Sequence, residues 1–246
     1  MSHSNVNAVN FAGVNLAQDV DGCQHDVVTN SSARRSYHHG DLRNALARAA
    51  AGLAASGGPD AVTIRGAARE VGVTPTAAYR HFANQADLLL AAQDLAITGM
   101  AAAMAGHLSQ VPSEGDPVDL AVARLLSTGR GYIQFAVEEP GIFRTCFTGY
   151  LDRPEGSDPD LPGRAPYALL GEMLDQLVEV GYLAPEDRPG AEAGPWAAVH
   201  GLAMLLIDGP LRGITRAEQE AAVDRTLAMT VRGLATGPEA ERRRDR

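Results

Sequence analysis

The chain has 246 residues, a hydrophobic content of 45% and a formal net charge of −9. No stretch approaches about 18 uninterrupted apolar residues, and the N-terminus lacks a basic segment followed by an apolar one, so we expect neither a membrane span nor a secretory signal. This composition predicts a cytoplasmic globular protein of one large domain or two small ones.

Cys23 and Cys146 are far apart in the sequence, and Cys23 lies in a polar segment, so we expect no structural disulfide between them. Neither cysteine has the neighbours of a zinc site. His38 and His39 are residues of a type that binds zinc and nickel, but adjacent histidines rarely chelate one ion alone. We therefore expect no metal and no cofactor.

The first segment, residues 1–36, is rich in Asn, Ser and Val without a sustained period, and we predict that it is a flexible tail. Helical patterning begins at Gly40-Asp41 and continues to Ser56, where Gly-Gly-Pro ends it. The predicted buried stripe of this first helix consists of Leu42, Ala45, Leu46, Ala49 and Leu53.

Two short helices follow, joined by a tight turn. Thr63 is placed to cap the first of them, and Gly72 ends it at a position suited to a left-handed backbone. Thr74 then caps a helix that has Pro75 at its first position and extends to about Phe82. Two short helices joined in this way, over about residues 63–82, form a helix-turn-helix.

Positive charge is concentrated around this motif. Between Arg34 and Gln85 there are seven arginines and three acidic residues, which gives this segment a net charge of +4. Because the whole chain has a net charge of −9, the other residues together carry −13. A basic segment on an acidic body indicates a polyanionic partner at one end of the molecule. A chance fluctuation in a solvated surface would give the same count.

The second helix of the motif suits DNA. Its N-terminal end can enter a major groove about 12 Å wide while the first helix crosses the backbone. Phe82 is expected to pack this helix onto its neighbours, and the outward surfaces of Tyr79, Arg80 and His81 would then face the duplex. The simpler alternative is that Tyr79 and Phe82 are only a packing pair.

The rest of the chain is also predicted to be helical. One helix covers Gln85–Leu108, and Pro- and Gly-rich breaks delimit five more. These five cover 118–138, 141–151, 166–182, 195–207 and 215–235. Together with the first three helices they make an all-α chain of about nine helices.

Two stretches, "YHHGDLRNALARAA" and "TIRGAAREVGVTPTAAYRHFANQADLL", resemble the DNA-binding domain of TetR-type transcriptional regulators. The resemblance covers about residues 37–90. It implies a three-helix DNA-binding head on an all-helical body that works as a homodimer, and it implies no enzymatic activity.

Carried over residue by residue, the resemblance implies DNA contact by several side chains of the motif. Gln85 departs from the family pattern, which commonly has a lysine at this point, so a phosphate contact there would lose its charge. The residues predicted to contact DNA, from the motif and the resemblance together, are Thr63, Arg65, Thr74, Thr76, Ala77, Tyr79, Arg80, His81 and Gln85.

In the second half, residues 91–237, "GPWAAVHGLAMLLIDGPL" resembles a TetR subgroup whose C-terminal domain is named for a Trp-His-Gly triplet. Such a domain implies a cavity for an unknown small apolar or aromatic ligand, lined mostly by apolar and aromatic side chains. Residues at helical spacing are more often plain core. The candidate ligand contacts are Phe135, Phe143, Phe147, Tyr150, Met173, Leu177, Trp196, His200 and Met204.

The helices at about 195–207 and 215–235 are the predicted homodimer surface. A stripe on the second of them consists of Ala222, Leu227, Val231 and Leu234. Two-fold packing would set two recognition helices one DNA turn apart, about 34–36 Å, on a roughly palindromic operator. The segment 238–246 is predicted to be a charged tail, and its end, "ERRRDR" (241–246), is predicted to be solvated, with an auxiliary DNA contact as the alternative.

The leading hypothesis is a homodimeric repressor that a small molecule releases from double-stranded DNA. One alternative is a helical partner or sensor protein that does not bind DNA, which Gln85 and the alanine-rich recognition helix would support. The other is an enzyme with Cys146, His200 and Asp208 as a nucleophilic set, although no motif fixes their geometry.

Overall fold

A computed structural model of the protein describes residues 10–11, 14–15, 33–148 and 165–244. Ten α-helices lie in these ranges, together with a short antiparallel pairing of β1 (Asn10–Phe11) with β2 (Val14–Asn15). The helices are α1 (Ala33–Gly57), α2 (Ile64–Val71), α3 (Pro75–Tyr79), α4 (Gln85–Leu108), α5 (Pro117–Glu138), α6 (Pro140–Phe147), α7 (Ala165–Glu179), α8 (Ala193–Ile207), α9 (Arg216–Gly233) and α10 (Pro238–Arg244).

The prediction of an all-α chain with a helical head and a helical body is confirmed. The predicted helices over 118–138 and 195–207 agree with α5 and α8 to within two residues at each end. α1 begins at Ala33 rather than at Gly40, because no residue between them stops a helix. Most of the predicted tail, 1–36, lies outside the described residues.

The buried face of α1 is made mainly of alanines, and of the predicted stripe Leu46 is fully buried while Leu42, Ala49 and Leu53 pack against the edge of the core. The buried residues are Leu46, Ala47, Ala50, Ala51 and Ala54, whereas Leu42, Ala45, Ala49 and Leu53 are half-buried. Small side chains allow α2, α4 and α6 to pack close to α1, and the larger leucines cover its flanks.

One hydrophobic core runs from the head into the body. Leu46 and Phe82 in the head belong to the same connected cluster as Tyr132 in the body. A second cluster forms around Met173 and Leu177 of α7, with contributions from α5 and α9. α4 joins head to body because it packs against α1, α5 and α6.

In the described part of the chain, α4 is the helix that is long and apolar enough to cross a membrane. Its apolar residues belong to the protein core: Leu88, Ala92, Met100 and Met104 are buried. Because α4 packs against four other helices, α1, α5, α6 and α7, its hydropathy is explained by its central position.

The last of the described helices, α10, was not predicted, since 238–246 was expected to be a charged tail. Glu241 and Arg242 are exposed, but α10 as a whole packs onto the body. Ala240 is buried, and Arg243 forms ion pairs with Asp116 and Asp119 at the start of α5. Since Ala240 is the one buried residue among those described on α10, apolar periodicity gives almost no signal for this helix.

The stripe on α9 that was predicted to form the dimer surface faces the interior. Leu227, Val231 and Leu234 are buried, and Ala222 is half-buried. α9 packs against α5 and α8 of its own chain. An amphipathic helix shows the same period whether its apolar face meets its own chain or a second copy, so the pattern alone could not identify the partner.

Candidate nucleic-acid interface and ligand-binding body

Local caps close the helix-turn-helix, as the sequence predicts. The hydroxyl oxygen of Thr63 accepts a hydrogen bond from the amide of Gly66 at 3.0 Å, at the start of α2. Gly72 ends α2 in the left-handed conformation, with φ 75° and ψ 28°. Thr74 accepts from the amide of Ala77 at 3.2 Å and begins α3. These contacts fix the turn without help from distant residues.

α3 is packed on one side and open on the other. Ala78 and Phe82 are each 1% exposed, so both belong to the core beneath the helix. Tyr79 is 52% exposed, and Arg80 is exposed as well. Phe82 therefore packs as predicted, while Tyr79 presents its ring to solvent. Because Ala78 is buried, its methyl group is not available for contact with a base.

Arg43 of α1 secures the end of this segment. Its guanidinium lies over the ring of Phe82, 4.4 Å from the ring centre, and it donates a hydrogen bond to the carbonyl oxygen of His81. Sequence reasoning counted Arg43 only as part of the basic segment. The cation–π contact shows that this charge also positions the recognition helix.

None of the nine residues predicted to contact DNA is buried, and they lie at the start of α2, along α3 and the turn after it, and at the start of α4. The exposed ones are Arg65, Thr74, Thr76, Tyr79, Arg80 and Gln85, and the half-buried ones are Thr63, Ala77 and His81. Asn84 caps α4 by accepting from the amide of Asp87 at 2.9 Å. Exposed arginines and the free amides of helix starts suit phosphate oxygens.

Five rings meet in the body and form what we term the aromatic cluster: Tyr132, Phe143, Phe147, Trp196 and His200. The ring centre of Tyr132 lies 5.5 Å from that of Phe143 and 5.4 Å from that of Trp196. Its hydroxyl oxygen lies 2.8 Å from Nδ1 of His200. The rings of Phe147 and His200 are 4.7 Å apart. α5, α6 and α8 thus meet at one point.

Burial sets the protonation of the central pair in this cluster. It raises the pKa of the Tyr132 phenol far above its ordinary value, and the Cys146 thiol adds to that increase. Burial also lowers the pKa of His200. Both shifts favour neutral forms. At neutral pH both side chains are therefore uncharged, and one hydrogen bond joins the hydroxyl of Tyr132 to Nδ1 of His200, with its direction set by the imidazole tautomer.

Sequence reasoning missed Tyr132, the centre of the cluster. The available signal was its neighbour Gly131, where a Cβ would lie 2.8 Å from the Cα of Met104. Because α4 and α5 approach each other so closely at Gly131, this part of α5 lies inside the body, and the adjacent Tyr132 is buried.

Eight of the nine predicted ligand contacts lie in the described residues, and four of these eight belong to the aromatic cluster. Phe135, Met173 and Leu177 are buried in the core, Met204 is exposed, and Tyr150 lies outside the described residues. The four that meet are Phe143, Phe147, Trp196 and His200.

A narrow cavity lies beside the aromatic cluster, between α5, α8 and α9. Tyr132, Trp196, Val199, Leu227 and Val231 are among the residues that line it. The space available to the centre of a water-sized sphere is ≈ 30 Å³. Among the eight predicted ligand contacts that the structure describes, Trp196 is the one that lines this cavity, so the prediction missed the contribution of α9.

The alternative nucleophilic set does not assemble. The thiol of Cys146 is buried, and burial raises its pKa to about 12. Asp208 accepts two hydrogen bonds from Arg144, at 2.8 and 2.6 Å, and the imidazole of His200 is engaged with Tyr132. A thiol that stays protonated at neutral pH is a poor nucleophile.

A short exposed recognition helix on a helical head, followed by a helical body with an internal cavity, defines a helix-turn-helix DNA-binding regulator. Two family models match the chain: the tetR family of bacterial regulatory proteins over residues 46–92, and a tetracyclin repressor-like C-terminal domain over residues 125–230. The chain belongs to the TetR family of transcription regulators.

Solved structures share this fold over nearly their whole length. A protein of unknown function from Rhodococcus sp. RHA1 is 26% identical, with a TM-score of 0.65 and coverage of 81% of this chain and 98% of its own. A TetR family transcription regulator from Marinobacter aquaeolei VT8 is 19% identical, with a TM-score of 0.55 and coverage of 78% and 97%. No protein of curated function matches the chain in sequence.

Proposed function

We propose that this regulator is a homodimeric repressor in the cytoplasm, which a small apolar or aromatic molecule releases from a palindromic operator. The contrast between the two sides of α3 supports the DNA-binding surface: Ala78 and Phe82 are each 1% exposed, whereas Tyr79 is 52% exposed. A short helix that is packed below and open above can enter a major groove.

The proposed DNA contacts have separate roles. Arg65 and Arg80 are both exposed and suit phosphate oxygens or a guanine edge. Tyr79 and His81 can bond phosphate without carrying a full charge. The hydroxyl oxygen of Thr74 accepts in its own cap, so its hydrogen is available to a phosphate. The remaining proposed contacts are Thr63, Thr76, Ala77 and Gln85.

We expect a second copy to cover an apolar face of α8 and α9. Met204 and Leu205 are 37% and 41% exposed, and Met229 is 65% exposed. A Cβ on Gly201 would meet no atom within 4 Å, which leaves room for another helix. Large apolar side chains exposed together mark interaction surfaces. Gly201 also completes the Trp-His-Gly triplet, and membership of that subgroup stays a prediction.

α6 connects the aromatic cluster to the head. It contributes the rings of Phe143 and Phe147 to the cluster. Gln93 of α4 donates from Nε2 to the carbonyl oxygens of Cys146 and Thr148, both at 2.9 Å. A ligand that displaces the rings would therefore move α6 and α4 together. Such a movement would change the separation of the two recognition helices, and the ligand shifts DNA occupancy through its different affinity for the two states.

Band-shift titrations against the DNA upstream of the protein's own gene test this proposal. The wild type should retard that DNA specifically, with an affinity that falls steeply as salt rises. Arg65→Ala should weaken binding by about 1–3 kcal/mol. Arg216→Ala is the matched control, because Arg216 is exposed on α9, in the body. Absence of specific binding at low salt would instead favour the partner or sensor alternative, which the uncharged Gln85 supports.

A further inference from the structure

Resting on the proposed ligand-controlled function, we infer that the effector is an uncharged, largely hydrocarbon molecule that carries a hydrogen-bond donor and enters the narrow cavity beside Trp196. This class is narrower than the apolar or aromatic ligand proposed above. It follows from the charge, the hydroxyl geometry and the width of the cavity.

No ionised side chain occurs in the cavity wall, as far as the described residues form it. The lining residues with polar side-chain atoms are Thr128, Thr230, Tyr132 and Trp196, and the other lining residues are apolar or glycine. A carboxylate or an ammonium group that entered would lose its hydration without gaining an opposite charge, which is strongly unfavourable. The cavity therefore selects an uncharged molecule.

The threonine hydroxyls select for a donor on that molecule. Oγ1 of Thr128 donates to the carbonyl oxygen of Leu125 at 2.8 Å, and Oγ1 of Thr230 donates to that of Thr226 at 2.9 Å. Each hydroxyl hydrogen is thus already used, and the oxygens keep lone pairs that can accept. Trp196 carries a donor of its own, but this side chain is only half-buried and can turn its N–H to water.

A ligand can bind only if the wall opens, because ≈ 30 Å³ is far below the volume of about 300–1,000 Å³ that is usual for ligand pockets. Trp196 can move, since it is half-buried and its outer neighbour Tyr167, 5.8 Å away between ring centres, is exposed. Leu227 closes the cavity on the side of α5: its methyl carbon lies 2.6 Å from where a Cβ on Gly129 would stand. A shift of Trp196 also disturbs Phe147 of α6.

The test uses Trp196 itself, which is the single tryptophan of the sequence and therefore reports on the cavity by its fluorescence. The intact wild-type protein is titrated with 1-octanol, with its isomer di-n-butyl ether, which lacks a donor, and with octanoate. We expect 1-octanol to bind about fivefold more tightly than the ether, for one hydrogen bond gained, and at least about tenfold more tightly than octanoate, because of the buried charge.

Each outcome decides a part of the inference. Octanoate binding as tightly as 1-octanol, or no response to any of the three probes, would overturn the assignment of an uncharged ligand to this cavity. Equal affinity for 1-octanol and the ether would overturn the donor requirement.

Two variants test whether the preference for 1-octanol over the ether depends on the hydroxyls of Thr128 and Thr230. The double change Thr128→Val with Thr230→Val keeps the side-chain shape and should reduce the affinity for 1-octanol to that for the ether. Thr226→Val is the matched control on the same helix, because Thr226 is half-buried and does not line the cavity. A folded double variant that kept the preference for 1-octanol would contradict the role of these hydroxyls. If the double variant did not fold, the comparison of probes on the wild type would still decide the matter.

Band shifts on the same wild-type sample separate this inference from the proposed function. If the protein binds DNA specifically and no uncharged probe binds in the cavity, the inferred ligand class is wrong and the proposed regulatory function is retained. If the probes bind as expected and no DNA is bound specifically, the proposed function fails and the cavity assignment stands.

Discussion

Gly141 of α6 lies directly against the backbone of α1: a Cβ built on it would stand 2.2 Å from the carbonyl oxygen of Ala54. No side chain fits into such a gap, so the two helices touch backbone to backbone where the body meets the head. Because α6 also carries Phe143 and Phe147 of the aromatic cluster, one short helix contacts both this cluster and the DNA-binding head.

Gly141→Ala should force α6 away from α1. We expect the free energy of unfolding to fall by about 1–3 kcal/mol from overpacking, and DNA binding to weaken because the head is repositioned. Urea denaturation and band shifts measure the two effects. Gly106→Ala is the matched control, since a Cβ on this helical glycine would meet no atom within 4 Å. The control should gain up to about 1 kcal/mol. Equal behaviour of the two variants would contradict the assigned contact.

Phe82→Ala and Tyr79→Ala should separate packing from recognition. Phe82 is 1% exposed, and its truncation should cost about 3–5 kcal/mol of stability, with loss of the contact to Arg43. Tyr79 is 52% exposed, so its truncation should change stability by no more than about 0.5 kcal/mol while it weakens DNA binding. Thermal denaturation and band shifts on both variants check this. Unchanged DNA binding by Tyr79→Ala would remove Tyr79 from the interface.

His200 should make stability depend on pH. Burial lowers its pKa in the folded state, so the unfolded chain takes up a proton first as the pH falls. Its contribution to stability is complete above about pH 6.5, the ordinary pKa of histidine, and declines as the pH falls from there towards the folded pKa. His200→Asn, whose side-chain oxygen can accept the Tyr132 hydroxyl, should flatten the decline. Melting temperatures between about pH 8 and pH 5 compare the two proteins, and an unchanged slope in the variant would assign the effect to other groups.

Met204→Arg should dissociate the proposed homodimer, because two copies of a charged side chain would be buried without partners at the two-fold interface. Leu90→Arg is the matched control: Leu90 lies on α4, and both residues are 37% exposed. Sedimentation equilibrium should show a monomer for the first variant and a dimer for the second. Retention of the dimer by Met204→Arg would move the interface to another surface.

Local chemistry was sufficient to predict the helix-turn-helix. Thr63 and Thr74 cap through hydrogen bonds that span three residues, and Gly72 supplies a left-handed backbone next to them. Because each signal acts within one turn of helix, the residues themselves specify it. The exposure of Tyr79 followed from the same geometry, once Phe82 was assigned to the core.

Features that depend on contacts between distant segments could not be predicted in this way. Hydrophobic periodicity favoured Leu42 and Leu53, but the close approach of α4 and α6 gives the buried face of α1 to alanines such as Ala50. Leu227 was similarly predicted to lie at the dimer surface, whereas it lines the cavity inside its own chain. A helical period states which residues share a face and leaves open which neighbour covers it.

The ion pairs of Arg243 with Asp116 and Asp119 attach α10 to the start of α5. Anything fused directly behind that helix, such as an affinity handle or a fluorescent reporter, would strain a packed element in which Ala240 is buried. A flexible glycine–serine spacer between α10 and the fused partner would relieve this strain.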